Sequence, residues 1–135
     1  MLKIPKSVEY ALLALRYIDR NSQESCISAK EISERENIPY ELLSKILQKL
    51  VRNEIIVSQM GNKGGYVVNN NLSNYSLLDI VNALEQKIQL TDCFVLNPTS
   101  NDCARFENCC LRNPLMKIQE KLELMFKETN LIEII

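Results

Sequence analysis

Apolar residues recur at helical spacing at Val8, Ala11, Leu12, Leu15 and Ile18, which predicts an amphipathic helix over about residues 6–20. The polar run from Asn21 to Ile27 reads as a loop. Ser28 stands three residues before Glu31, the pattern of a capping box, so a short helix is expected from Ala29 to Asn37. Ile38-Pro39 ends it, because proline disfavours helical geometry in the residue before it, yet proline is tolerated where a new helix starts. Leu42, Leu43, Ile46, Leu47, Leu50 and Val51 then form one apolar stripe that runs to about Asn53.

The period changes at this point. Glu54 to Met60 and Gly65 to Asn69 are two short β-branched runs, and Gly61-Asn62-Lys63-Gly64 between them tolerates the positive φ of a tight turn. A β-hairpin is expected. After the loop Asn69-Asn70-Asn71, Ser76 and Asp79 can cap a helix carrying Leu77, Ile80, Val81 and Leu84. Residues 87–110 show no period, and irregular segments of that length tend to be functional or disordered. The last helix is expected over about Leu111 to Glu128, on a row of Leu111, Leu115, Ile118, Leu122 and Met125 widened by Met116, Leu124 and Phe126. The apolar end, Leu131 to Ile135, is expected to dock.

Helix, short helix, tight turn, second helix and hairpin is the order of a winged helix-turn-helix. The expected fold is therefore mainly α, with residues 1–86 as a DNA-binding domain, 87–110 as a separate loop and 111–135 as a long C-terminal helix and tail. An exposed helix fits the major groove, and a hairpin tip can reach phosphates. The second helix of the pair is expected to bury Leu42, Leu43, Ile46 and Leu47 and to show Tyr40, Glu41, Ser44, Lys45 and Lys49. Ser28, at the head of the pair, and Asn62, Lys63 and Gly64, at the hairpin tip, complete the candidate DNA-binding set. Tyr66 reads as a wing residue packed on the core. A plain helix pair with a solvated charged face would share the stripe, but it would not need the adjoining hairpin.

Charge adds little. The net charge of −1 divides into +2 over residues 1–68 (10 Lys+Arg, 8 Asp+Glu) and −3 over residues 69–135 (6 and 9). The absence of histidine removes imidazole acid–base catalysis and any histidine ligand, and no nucleophile–base pair is visible, so an enzyme is not expected. No apolar run is long enough to span a membrane, and the opening Met1 to Lys6 lacks a secretory pattern, so a cytoplasmic location is expected.

Cysteine changes the picture. Of five cysteines, Cys93, Cys103, Cys109 and Cys110 fall within 18 residues, and Cys26 stands apart. In a reducing compartment such a cluster suits zinc, Cu(I) or iron–sulfur rather than a disulfide framework. The wide gaps do not match the paired spacing of a zinc site. Adjacent Cys109 and Cys110 do not easily face one metal together. Reversible disulfide chemistry is the other use of such thiols.

These residues resemble the Rrf2 family of bacterial regulators, which includes the IscR, NsrR and RirA types. The resemblance rests on Ser7 to Leu12, on Ala29 to Ser33 with Ile38-Pro39, on Gly61 to Tyr66, on Ser76 to Val81 and on the cysteine loop leading into a long helix. It implies a homodimer paired through the C-terminal helix and bound to palindromic double-stranded promoter DNA. It also implies a 2Fe–2S or 4Fe–4S cluster on three cysteines, whose state alters DNA binding. Because the cysteines lie between the DNA-binding part and the last helix, loss of the cluster is expected to free the loop and alter the angle between the two DNA-reading helices. The ligand set it implies here is Cys93, Cys103, Cys110 or Cys109, and Glu9 from the other chain. Asn113 stands where some members carry a ligand histidine, and Met60 where some insert a minor-groove arginine, so no such arginine contact is expected. A cluster-free regulator of the same family, controlled by a partner protein or by thiol oxidation, is the alternative.

Overall fold

Helix α1 (Lys6–Asn21) turns Val8, Ala11, Ala14, Leu15 and Ile18 inward. In the computed structural model, which describes residues 2–23 and 25–135, that face packs on the helix-turn-helix and on the wing. Helix α2 (Ala29–Glu36) starts where the Ser28 hydroxyl accepts from the Glu31 amide at 3.1 Å, so the capping expectation holds on that side. It buries only Ile32. The turn that follows is locked locally. Asn37 takes the left-handed conformation at φ 52°, which asparagine tolerates better than most residues. The Ile38 amide donates to the Ser33 carbonyl at 3.0 Å, and the Ser33 hydroxyl donates back to the Ile38 carbonyl at 2.6 Å. Ile38 is thereby buried and Pro39 sets the start of α3 (Tyr40–Arg52).

Helix α3 buries Leu43, Ile46, Leu47 and Leu50. The expected stripe is one residue too wide: Leu42 is 37% exposed, because the buried row steps 43, 46, 47, 50 and leaves position 42 on its margin. The helix ends in a Schellman motif, with Ile55 N–H donating to Leu50 and Glu54 N–H to Val51, and with Glu54 at φ 59°. Glu54 and Ile55 thus belong to the helix end. The strands are shorter than expected for that reason: β1 (Ile56–Gln59) pairs antiparallel with β2 (Gly65–Val68), Ile56 opposite Val68 and Gln59 opposite Gly65. Ile27, expected in a loop, adds a third extended partner to this wing. It exchanges two backbone hydrogen bonds with Tyr66, at 3.0 and 2.7 Å.

Helix α4 (Leu77–Ala83) carries the expected capping box between Ser76 and Asp79. Helix α5 (Arg112–Glu128) packs on α4. The tail returns across the start of α4. The Leu77 amide donates to Thr129 and the Leu131 amide to Tyr75, at 2.9 and 3.0 Å, and Leu131 enters the core while Ile132 and Ile134 stay exposed. One core holds α1, α3, α4, Ile27, Ile55, Ile56, Leu72 and Leu131 together. Between α4 and α5 the chain is a series of local turns, among them a Thr99–Asp102 turn and a 3₁₀ turn at Phe106–Asn108. The Arg112 guanidinium lies over the Phe106 ring at 4.6 Å.

Candidate nucleic-acid interface

Tyr40, Glu41 and Lys45 are exposed on α3 and Ser44 is half-buried beside them, so one face of the helix offers a phenol, a carboxylate, a hydroxyl and an ammonium. Groups of these kinds bond base edges or phosphate oxygens. The turn between α2 and α3 leaves a shallow hollow lined by Lys30, Ser33, Glu34 and Tyr40. The hydroxyl of Ser28 is engaged by the Glu31 amide, which fixes the angle of α2 instead of leaving that oxygen free. From α1, the Tyr17 hydroxyl donates to the Glu31 carboxylate at 2.8 Å, and this bond holds the Tyr17 pKa above its ordinary value.

Lys49 has a different position. It sits at the end of α3 with its ammonium 2.9 Å from the Glu85 carboxylate and 3.5 Å from the Leu84 carbonyl. It ties the α3 helix to the end of α4, and only Lys45 of the two α3 lysines is left without an intramolecular partner among the described residues.

The wing tip presents Asn62 and Lys63 to solvent, with Gly64 half-buried behind them. Glycine is required at the base of this tip. A Cβ on Gly64 would lie 2.8 Å from the Gln59 carbonyl oxygen, and one on Gly65 would lie 2.5 Å from the Ile27 backbone. The Cys26 thiol donates to the Lys63 carbonyl at 2.6 Å, so the segment that leads into α2 also holds the wing tip. Tyr66 packs against the core as expected, and burial raises its hydroxyl pKa, with Tyr40 adding to the shift. Met60, where no arginine stands, is almost fully exposed at the tip.

This geometry has close counterparts. The sequence matches the Rrf2 family, described as "Iron-dependent Transcriptional regulator", over residues 4–135. The chain belongs to the Rrf2 family. Among its Rrf2 relatives, the regulator NsrR of Oceanobacillus iheyensis is 27% identical over 116 residues, 86% of this chain and 78% of that one. The regulator IscR of Serratia proteamaculans is 21% identical over 99% of this chain and 79% of its own length. A regulator of Azotobacter vinelandii is 25% identical over 92 residues, and the matched stretch spans only 56% of that relative. The fold agrees with CymR, the global cysteine regulator of B. subtilis, at a TM-score of 0.72 and 23% identity, covering 97% of this chain and 94% of that one. It agrees equally with IscR of T. potens, at 0.72 and 18% identity, covering 97% and 84%. These Rrf2 relatives are transcriptional regulators and not enzymes, and the winged-helix architecture read from the sequence is the one observed.

The cysteines differ widely in their surroundings. Cys93 is 8% exposed, its sulfur 3.2 Å from the Thr91 hydroxyl. Cys103 and Cys109 are half-buried and Cys110 is exposed. Glu9, on α1, is ion-paired at 2.6 Å with Lys6, whose pKa it raises. Among the described residues no group of three His, Cys, Asp or Glu side chains comes close enough to hold a metal ion. Four cysteine sulfurs are the right soft ligands for an iron–sulfur cluster, but their arrangement in this single chain does not assemble the expected ligand set.

Sequence reasoning missed Gln119. It is 4% exposed, and it is the only residue of α5 that is fully buried. Its amide oxygen accepts from the Leu90 amide at 2.9 Å; its nitrogen donates to the Ile88 carbonyl and, at 2.7 Å, to the Glu123 carboxylate. A signal was present. Leu115, Gln119, Leu122 and Phe126 step by 4, 3 and 4, so Gln119 is a polar residue within a helical apolar row. Leu115, Leu122 and Phe126 are half-buried on this row, whereas Leu111, Ile118 and Met125, spaced by sevens, remain 59%, 48% and 51% exposed.

Proposed function

We propose that this chain is a homodimeric, DNA-binding transcriptional regulator acting in the cytoplasm, and that residues 87–110 carry its sensing function. The carrying observation is the joint presentation of α3 and the wing tip. Lys45 and Lys63 are exposed on two elements whose relative position is fixed by Ile27, Ser28 and the tight glycines behind the tip. Dimerisation is supported by the Leu111, Ile118 and Met125 row, an unpartnered apolar face on a long helix. No helix among the described residues is long and apolar enough to cross a membrane.

For the sensing segment, an iron–sulfur cluster is supported by four thiolates within 18 residues and by the iron-dependent description of the family. In that reading Cys93, Cys103 and one of Cys109 and Cys110 are the ligands, with Glu9 of a second chain as the fourth. A second reading, in which cysteine oxidation or a partner protein controls the regulator without a cluster, is supported by the exposed Cys110 and by the lack of a three-ligand group among the described residues. Iron and sulfide analysis of anaerobically purified protein, with its visible absorption, separates the two.

The DNA reading is tested by selecting bound duplexes from a random pool. An inverted repeat with half-sites about one helical turn apart is expected, bound at least ~1,000-fold more tightly than scrambled duplex. A pool without any enriched sequence overturns it.

A further inference from the structure

The segment that joins α4 to the cysteines is held from two sides, by the DNA-reading helix and by the tail helix. On the α3 side, Ala83 and Leu84 are buried, the Lys49 ammonium meets Glu85, and the Asn53 amide lies 3.4 Å from the Ala83 carbonyl. Glu85 occupies the left-handed position that closes α4, at φ 58°, where glycine would be unstrained. The side chain that makes this position costly is the one that engages Lys49. On the α5 side, three residues further on, Gln119 grips both the Ile88 carbonyl and the Leu90 amide. Leu90 is followed at once by Thr91 and Cys93, themselves in contact through the hydroxyl and the thiol.

We infer that Gln119 is a positioning residue that makes residues 84–90 a rigid strap, through which displacement at Cys93 reaches the end of α3. The physical reason is directional. A backbone fixed by a buried amide on one face and by a buried helix end on the other cannot absorb a shift by bending, so it passes the shift on. Without Gln119 the Ile88 carbonyl and Leu90 amide would have to find water, and the strap would slacken beside the cysteines. This role rests on the sensing function proposed for residues 87–110.

The test uses the full chain, its Gln119→Met and Glu85→Gly variants and the double variant. Methionine keeps the length of the buried side chain but none of its hydrogen bonds. Glu85→Gly is exposed and relieves the left-handed strain, so it folds whatever the fate of Gln119→Met. Amide hydrogen exchange and iodoacetamide labelling of Cys93 are read together. Gln119→Met is expected to speed Leu90 exchange and Cys93 labelling about tenfold, and also to speed exchange at residues 50–53 severalfold. Glu85→Gly alone should speed exchange at residues 50–53 without touching Cys93 labelling. In the double variant the two effects on residues 50–53 should not add. Exchange that rises only over residues 88–93 in Gln119→Met, or additive effects in the double variant, overturns the inference. DNA affinity before and after alkylation forms a separate arm. If alkylation leaves affinity unchanged in the unaltered protein, the sensing function fails, while the exchange data still decide the strap.

Discussion

Gly65 lies so close to Ile27 that a single methyl group would be 2.5 Å from the backbone carbon and carbonyl oxygen of Ile27. The contact is backbone against backbone, so no side chain can swing away to relieve it. Gly65→Ala should separate the wing from the segment that leads into α2, breaking the two Ile27–Tyr66 hydrogen bonds. A loss of about 1–3 kcal/mol in unfolding free energy is expected, together with weaker binding to specific DNA. Denaturant unfolding and fluorescence anisotropy read the two effects. A variant as stable as the unaltered protein would mean that the pairing of Ile27 with the wing is not formed in solution.

The three lysines considered for DNA contact should divide by their surroundings. Lys63, exposed on the wing tip, should act through phosphate charge: Lys63→Ala is expected to weaken binding to all duplexes alike and to reduce the salt slope by about one. Lys45, exposed on the α3 helix, should cost more at the selected site than on random DNA. Lys49 is engaged with Glu85. Lys49→Ala should leave the salt slope unchanged and alter affinity only through the setting of α3. A salt slope that falls as much for Lys49→Ala as for Lys63→Ala would put Lys49 on the phosphates.

Much of this division was legible in the sequence, and its failures have local causes. The apolar rows located α1, α3, α4 and α5, because burial imposes the helical period on side chains whatever their partners, and α2, which buries only Ile32, was legible from the Ser28 cap instead. The glycines around Asn62 and Lys63 located the wing tip, because only they satisfy its backbone. The direction of Lys49 was not legible, since a lysine at the end of an amphipathic helix looks the same whether it faces DNA or the carboxylate of a residue 36 positions later. Ile27 as a wing partner was hidden for the same reason: its pairing with Tyr66 is long-range and involves only backbone atoms. The row on α5 was read as one stripe although it contains two, because apolar identity does not say which side meets its own chain. The cysteines show the limit most clearly. Proximity along the chain puts four thiols in one segment, but it does not say how that irregular segment folds, and among the described residues no three ligand side chains gather into a metal site.

The Lys49–Glu85 pair gives a pH signature. Its hydrogen bond to Lys49, and then the lysine charge, hold the Glu85 carboxyl below its ordinary value. A depressed folded pKa means a contribution that is present above the unfolded pKa, about 4.3, and lost as pH falls through the lower folded value. The difference in melting temperature between the unaltered protein and Glu85→Gln should therefore be constant at neutral pH and vanish on acidification below that range. Glu85 is exposed and Lys49 only half-buried, so 1 M salt, with a Debye length of about 3 Å, should also remove most of it. A difference that persists at low pH would mean that the carboxylate charge is not what stabilises the pair.

The heptad-spaced row on α5 sets the last expectation. Leu111, Ile118 and Met125 are exposed apolar residues about 10 Å apart along one side of a helix, while the neighbouring row of Leu115, Gln119, Leu122 and Phe126 packs within the chain. Ile118 stands at the centre. In a dimer joined by this face, Ile118→Glu would place an unpaired carboxylate from each chain in an apolar contact, at a cost of several kcal/mol. The monomer–dimer dissociation constant should rise by at least ~100-fold, about 2.7 kcal/mol, with the helical content of each chain retained because the side chain points away from its own core. Sedimentation equilibrium measures the first and far-ultraviolet circular dichroism the second. Specific DNA binding should weaken as dimerisation is lost, since two half-sites then have to be filled independently. An Ile118→Glu protein that still sediments as a dimer would remove α5 from the interface and leave this row without an explanation in the proposed assembly.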